Sequence, residues 1–361
     1  MVEQKPAVLI AALHWGLGHA TRCVPIIKAF QKQACRVFIA SDGAAGILLR
    51  QQFPELPYLE LPAYNIHYAG ENLTWSLLKQ SPRVWRAIQQ EQKVLTEWMV
   101  KYQFQLIVSD NRYGCHHPDA FNVFLGHQLA IQATTPLSTW VANQVQGRLL
   151  KPFSEAWVPD FRGEKNLSGA LGHPTRSPIS NTHYLGGLSR FAKASVKEEK
   201  GIVALVSGPE PERSQFAKSL LEQLEKLPLP STLILGTPQQ STTLESKTVR
   251  IIPFLDGTDL QETLASAQYI ICRSGYSSLM DLQRLGKKAL LIPTPGQPEQ
   301  EYLAQRMEAL GWLPFQEQRK LQLETGLKLI DQYQGIPIME AYQLDAMAQA
   351  ALRRLKNQTR V

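Results

Sequence analysis

Two doubly wound α/β domains in tandem are the fold this sequence predicts. Near-continuous apolar runs of strand length alternate with segments of helical period, and the alternation breaks off and restarts near residue 200. A length of 361 residues also exceeds what one ordinary hydrophobic core holds. Apolar strands between helices belong to parallel sheets buried on both faces. Such sheets bind ligands beyond the carboxyl ends of their strands, which directs attention to the loops that follow each strand.

Taken in order, Ala7–Leu13 reads as a strand, Ala20–Lys32 as a helix, Arg36–Ser41 as a strand, and a helix follows from about Ala44. Leu59–Pro62 is extended, Trp75–Tyr102 is a long amphipathic helix, and Gln105–Ser109 is another strand. The mixed, charged stretch Arg190–Lys200 is the natural linker. Beyond it, Gly201–Ser207, Ser231–Leu235, Arg250–Pro253, Gln268–Cys272 and Lys288–Pro293 are strands. Arg213–Lys226, Asp259–Ala265 and Tyr276–Leu285 are helices between them, and Gln343–Lys356 is a terminal helix. The expected domains are therefore residues 1–192 and 200–342.

Composition narrows the class. A hydrophobic content of 44% with 19% charged residues is globular. Four cysteines without metal-ligand spacing read as reduced thiols. The early apolar run is too short to span a bilayer and enters a Gly-rich turn, so a soluble, cytoplasmic protein is expected. Residues 1–190 hold 18 Lys and Arg against 12 Asp and Glu. That excess is an ordinary solvated surface or a face for an anionic membrane or phosphate-bearing acceptor. Trp75, Trp85 and Trp98 with Lys79, Arg83 and Arg86 leave the same choice open between a core-packing stripe and a membrane-facing one. No nucleic-acid partner is expected, because no basic stripe is interleaved with aromatics.

The turn His14-Trp15-Gly16-Leu17-Gly18-His19 joins the first strand to its helix and places His19 at a helix N-terminus, where free N–H groups favour negative charge. Thr21 stands where a dinucleotide fingerprint needs a third glycine, although Asp42 superficially mimics its ribose acid, and there is no phosphate-binding P-loop. Asp110, Asn111 and Arg112 follow a neighbouring strand; one could be a base or an acceptor clamp, or they could form a structural salt bridge. In the second half, Cys272-Arg273-Ser274-Gly275-Tyr276-Ser277-Ser278 ends a strand and starts a helix whose N–H groups can hold a diphosphate, with Asp281 placed to accept from ribose hydroxyls. Gln300 and Glu301 enter the next helix and suit sugar hydroxyls. Ser207 and Gly208 begin a third loop that could approach phosphate. Ser277 and Ser278 could equally be plain caps.

These stretches resemble the MurG-type glycosyltransferases, glycosyltransferase family 28, and the wider GT-B group. The match is strongest over Ile271–Ala304, where Cys-Arg-Ser-Gly, the helix acid and the Pro-x(6)-Gln-x-Tyr spacing correspond, and the Gly-Leu-Gly-His turn supports it. Ser109–Gly114 and Asn166–His173 look still more like a group of uncharacterised bacterial GT-B proteins. The resemblance implies two Rossmann-like domains facing across a cleft, with helix 343–358 packing back on the first. It implies a hexose or N-acetylhexosamine moved from a nucleotide sugar, expected to be a UDP sugar, to a hydroxyl acceptor. His19 or Asp110 would be the base, with Gly18 close by. Asn111, Arg112 and His127 would lie on the acceptor side. Arg273, Ser274, Gly275, Ser277, Asp281, Gln300 and Glu301, with Ser207 and Gly208, would hold the donor. Asp281 replaces the family's usual Glu with a shorter reach, and Ser207-Gly208 replaces a Gly-Gly-Ser run.

No D-x-D pair occurs, so metal-independent chemistry without a cofactor is expected, helix N-termini taking the cation's place. The acceptor could be a small molecule, a glycan or a lipid-linked group, the last with peripheral membrane contact. A nucleotide-sugar 2-epimerase and a non-catalytic nucleotide-sugar binder on the same fold are the competing readings.

Overall fold

The computed structural model describes residues 5–64, 73–132, 135–192, 200–208, 210–237, 244–255, 257–339 and 344–358, with backbone alone at 73–81 and 356–358. Most of the expected linker, Pro209 and the side chains of Trp75 and Lys79 lie outside the described residues. The chain divides into two compact units, residues 1–188 with 340–361, and residues 189–339.

The first unit contains β1 (Ala7–Ala12), α1 (Leu17–Gln31), β2 (Arg36–Ser41), α2 (Gly43–Gln52), β3 (Tyr58–Glu60), α3 (Leu73–Tyr102) and β4 (Leu106–Asp110). These are followed by β5 (Phe121–Leu125), α4 (Pro136–Leu150), β6 (Glu155–Val158) and β7 (Thr182–Tyr184). The seven strands pair in parallel in the order β3-β2-β1-β4-β5-β6-β7. Every residue of β1, β4 and β5 is buried, the signature of a sheet covered on both faces. Strand order reverses between β1 and β4, and Ala12 pairs with Asp110 at that point. The loop carrying His14–His19 and the strand end carrying Asp110 therefore meet at the switch point, where doubly wound sheets place their ligands.

The second unit contains β8 (Ile202–Leu205), α5 (Glu212–Leu224), β9 (Ser231–Ile234), β10 (Val249–Ile252), α6 (Gly257–Ala265), β11 (Tyr269–Cys272), α7 (Tyr276–Leu285), β12 (Ala289–Leu291), α8 (Pro298–Ala309) and α9 (Leu323–Ile330). Its parallel order β10-β9-β8-β11-β12 repeats the same winding, with the reversal between β8 and β11. Its core joins Ala204, Leu233, Ile271 and Leu290 of the sheet to Phe216 and Leu220 of α5 and Leu327 of α9. The last helix, α10 (Leu344–Gln358), belongs to the first unit, where Asp345 meets Lys32 at 2.9 Å and Arg354 meets Glu155 at 2.5 Å.

The sequence expectation also lacks β6, β7 and α9, but two departures bear on the site. Helix α1 begins at Leu17, three residues before Ala20, so Gly18 lies inside its first turn. N–H groups in a first turn have no intrahelical partner, and a glycine there costs less than it does mid-helix. Helix α4 was not expected at all. It starts with a capping box, in which Thr135 accepts from the Ser138 N–H while the Ser138 hydroxyl reaches back, and Pro136 opens the first turn. Two of its amides face inward, where Asn143 binds both backbone groups of Ile131 and Gln146 donates to the Gln128 carbonyl. A pattern search that equates apolar with inward passes over such a helix.

Candidate active-site residues

In the first unit, Asp110 is fully buried at the end of β4 and is the hub of a polar cluster. Arg22, one turn beyond His19 on α1, donates from Nε to Asp110 Oδ2 at 2.7 Å and from Nη2 to Oδ1. Cys23 Sγ lies 3.3 Å from the same carboxylate. His19 Nδ1 lies 2.9 Å from Asp110 Oδ1 and 2.8 Å from Arg22 Nη2. Guanidinium can only donate and an ionised carboxylate can only accept. The two contacts ask opposite things of Nδ1, a proton to donate to Asp110 and a lone pair to accept from Arg22; the tautomer protonated at Nδ1 satisfies the first and leaves Nε2 as a lone-pair base. Burial alone would raise the Asp110 pKa, but Arg22 and His19 outweigh it and hold the carboxyl well below its usual range. Burial, then Arg22, lower the His19 pKa below 6.5 against the opposing pull of Asp110, so the imidazole is neutral at pH 7. Its side chain keeps 13% exposure. His127 closes the cluster, with Nδ1 3.1 Å from Arg22 Nη1.

A second cluster lies beside it. Arg112 is buried and its guanidinium is spent on protein acceptors: Ala12 O at 3.0 Å, Pro62 O at 2.9 Å, Glu91 at 2.8 Å, and Asp42. Glu91 in turn accepts from Tyr64 at 2.8 Å and from the Gly114 N–H at 3.0 Å. Of the two readings the sequence left open for Arg112, the geometry is that of the structural salt bridge. It holds the loops after β1, β2 and β4 together. Asp42 likewise anchors this network, and His14 Nδ1 sits 3.5 Å from it. Asn111 takes φ +52°, which turns the chain sharply after Asp110. Gly18 O accepts from Thr21 Oγ1 at 3.0 Å within the first turn of α1. The Asn166–His173 stretch wraps a buried acid: Asp160 accepts from the N–H groups of Leu167 and Ser168 and from His173 at 3.2 Å.

In the second unit, three loops meet past β8, β11 and β12. Arg273 is 1% exposed, lies over the Phe216 ring at 3.8 Å and donates from Nη1 to the carbonyls of Ile292 and Pro293, each at 3.2 Å. Its buried Nε has no hydrogen-bond partner among the described residues, and neither has the buried Oγ1 of Thr294. The Thr294 hydroxyl looks toward Gly208, whose φ is +114°. Helix α7 follows its N-cap Gly275 with no side-chain cap and no acid in its first turn, an end that suits negative charge. Helix α8 is the opposite case, since Glu299 and Glu301 occupy its first turn. Those acids oppose an anion at α8, and no such opposition exists at α7.

Other expected donor residues take bracing roles. The Ser274 hydroxyl donates to the Gln300 carbonyl at 2.7 Å. Gln300 Oε1 accepts from the Thr294 N–H at 2.9 Å, and Glu301 Oε1 accepts from the Gly296 N–H at 3.0 Å, so both side chains fix the turn that presents Thr294. Ser277 is half-buried in the first turn of α7, and Ser207 is exposed. Asp281 is half-buried and accepts from Ser189 Oγ at 2.5 Å; burial pushes its pKa up to about 6 despite Arg190 and Ser189.

Sequence reasoning missed Arg22 and Thr294. An arginine inside the apolar run Ala20–Ile27, three residues from His19 and so on its face, was the available signal for the first. Nothing in the sequence marks the second.

Residues 232–356 match the model of the glycosyltransferase family 28 C-terminal domain. A UDP-N-acetylglucosamine--N-acetylmuramyl-(pentapeptide) pyrophosphoryl-undecaprenol N-acetylglucosamine transferase of Pasteurella multocida is 25% identical over 92% of this chain and 90% of its own length. The Rhodococcus erythropolis protein of the same description is 30% identical, but over 48% of this chain and 46% of that one. Among solved structures, the glycosyltransferase SnogD from Streptomyces nogalater gives a TM-score of 0.64 at 14% identity, covering 98% of this chain and all (100%) of that one. MurG of Acinetobacter baumannii gives 0.57 at 14%, covering 96% and 99%. A putative UDP-N-acetylglucosamine 2-epimerase from Listeria monocytogenes gives 0.63 at 12%, covering 98% and 97%. At these identities the structural likeness speaks for the fold. Among the described residues, no helix is long and apolar enough to cross a membrane.

Proposed function

We propose that this chain, a GT-B glycosyltransferase resembling the family 28 group, transfers a hexose or N-acetylhexosamine from a UDP sugar to a hydroxyl acceptor with His19 as the base. The observation that carries this reading is the His19–Asp110 pair, 2.9 Å apart at the switch point of the first sheet. In the tautomer that donates Nδ1–H to Asp110, the neutral imidazole has Nε2 to take a proton. The acceptor hydroxyl gives its proton to Nε2 as its oxygen attacks the anomeric carbon. The bond from that carbon to the diphosphate oxygen breaks, and nucleoside diphosphate leaves with the electron pair.

Departing charge would be met by the uncapped N-terminus of α7 and by Arg273, whose unpartnered Nε and neighbouring Thr294 hydroxyl supply donors that nothing else in the described chain uses. With a guanidinium and a helix dipole at the leaving group, the reaction is read as needing neither metal nor cofactor. Asp281 takes the ribose hydroxyls, and Glu301 and Gln300 the donor sugar through the turn they brace. On the acceptor side, Asp110, Arg22 and Arg112 position rather than react, while Asn111 and His127 flank the base.

The acceptor is read as lipid-linked, presented at the cytoplasmic face of a membrane that the protein touches peripherally. The relatives' pyrophosphoryl-undecaprenol substrates and the cationic excess of residues 1–190 support this. Steady-state turnover of purified protein with a UDP sugar and a polyprenyl-diphosphate-linked acceptor tests the proposal. Glycoside formation that survives His19→Ala unchanged sinks the mechanism, and free UDP without glycoside favours a hydrolase or epimerase.

A further inference from the structure

The second sheet has a cavity of about 410 Å³ at its amino-terminal edge, opposite the loops assigned to the donor. That is the size of a small-molecule site. The starts of β8, β9 and β10 form one wall, and Thr263 and Ser266 at the end of α6 form another. Register decides what the strands present. Thr232 pairs with Val203 on one side and Arg250 on the other, so these three side chains share a face of the sheet. Val203 is apolar and buried, as a strand residue beneath a covering helix should be, whereas Thr232 is half-buried and Arg250 exposed. Thr248, two residues before Arg250, lines the cavity beside it.

The hydroxyls around this cavity fall into two sets. Ser231 donates to Leu229 O at 2.9 Å, Thr263 to Asp259 O at 2.7 Å and Ser266 to Thr263 O at 3.2 Å, so these three are spent on the chain's own carbonyls. The Thr232 and Thr248 hydroxyls donate to no acceptor among the described residues, and the Arg250 guanidinium meets no carboxylate there. Lys200, just before β8, and Arg250 of β10 stand on either side of β9 and give the cavity two positive charges. No Asp or Glu lines it among the described residues. The carboxyl end of α6 would oppose an anion if its carbonyls were open. They are occupied: Glu262 O accepts from the Ser266 N–H, Leu264 O from the Ala267 N–H, and Ser266 O from the Lys200 N–H.

We propose that this cavity binds a phosphate group, free or as the monoester of a small metabolite. Arg250 is its ion pair and the Thr232 and Thr248 hydroxyls are its further donors. A guanidinium flanked by hydroxyls matches the several acceptor oxygens of phosphate, and Val203 and Pro230 offer apolar contact to the carbon body of an ester. The site lies at the other edge of the sheet from the donor loops and does not depend on the transfer chemistry proposed above.

Calorimetric titration of the full chain with inorganic phosphate and with glycerol 3-phosphate tests the site, with UDP present to fill the donor loops. Both phosphates are expected to bind, and glycerol is not. Arg250→Gln and Thr232→Val should each weaken binding about tenfold. Arg250 is exposed, so the ligand-free melting temperature of Arg250→Gln and its thermal shift with UDP should match the unsubstituted chain. Tighter binding of glycerol 3-phosphate than of inorganic phosphate assigns the ester as ligand, and equal binding assigns free phosphate; both uphold the site. Loss of phosphate binding once UDP is present overturns it, because the anion then sees the donor loops alone. Unchanged affinity in Arg250→Gln also overturns it. Should UDP itself not bind, the donor reading fails, and the same variants titrated without UDP still decide this site.

Discussion

Replacing Thr294 with valine should move stability and nucleotide affinity in opposite directions. The hydroxyl is buried at 2% exposure with no partner among the described residues, which costs about 1–3 kcal/mol for a group of this kind. Valine has nearly the same shape and no polar atom. The loop that presents it is fixed independently, by the Thr294 N–H bonded to Gln300 and by Pro293 O bonded to Arg273, so the backbone stays in place. Ligand-free Thr294→Val should therefore be more stable by about 1 kcal/mol in urea denaturation. If the hydroxyl donates to a donor phosphate, its loss removes a charge-assisted hydrogen bond worth about 1.5–3 kcal/mol, so UDP should bind at least about tenfold more weakly by calorimetry. Thr294→Ser keeps the donor and should bind UDP nearly as the unsubstituted chain does. Unchanged affinity for UDP in Thr294→Val, or a destabilised ligand-free protein, would refute the reasoning.

His19→Ala should cut kcat about 10²–10⁴-fold, the usual worth of a positioned base, while UDP affinity measured by calorimetry holds. Because the His19 pKa lies below 6.5, the rate of the unsubstituted enzyme should be flat near pH 7 and fall only below that value; an acid limb that persists in the variant would assign it to another group. Arg112→Met strands the buried carboxylates of Asp42 and Glu91 and should cost about 3–5 kcal/mol in denaturant; a loss under about 1 kcal/mol would show that the network holds little. Asp281→Asn should stabilise the ligand-free protein by about 3 kcal/mol above pH 6. Its pKa is raised from 3.8 to about 6, so the folded state disfavours the ionised form and the cost accrues as pH rises between those values. A Tm difference independent of pH would contradict this, and UDP should bind the variant more weakly.

How far the sequence could be read depended on what each residue does. Strands and the loops after them were legible because a parallel sheet buried on both faces must be apolar throughout, and the polar residue that ends each run stands out. That is why Asp110, His19 and Arg273 were nameable, and why each falls where strand order reverses: at the β1–β4 switch for the first two, and at the β8–β11 switch for the third. Roles within the site were less legible, because a side chain's partner is a fact of three dimensions. Arg112 and Arg22 both lie near Asp110 in space, yet Arg112 is consumed by Asp42 and Glu91 whereas Arg22 sets the state of the carboxylate that orients His19. Helix α4 was illegible for a stronger reason. Periodicity reveals an amphipathic helix and does not say which face is inside; the inward reading is supplied by assuming that water surrounds the protein. Asn143 and Gln146 reverse that reading by binding the β5–α4 loop, so the helix that steadies the edge near His127 must turn Leu137, Trp140, Val141 and Val145 outward. Bracing the sheet edge near His127 and exposing an apolar face are then one structural decision, and disrupting Asn143 should loosen the loop and that face together.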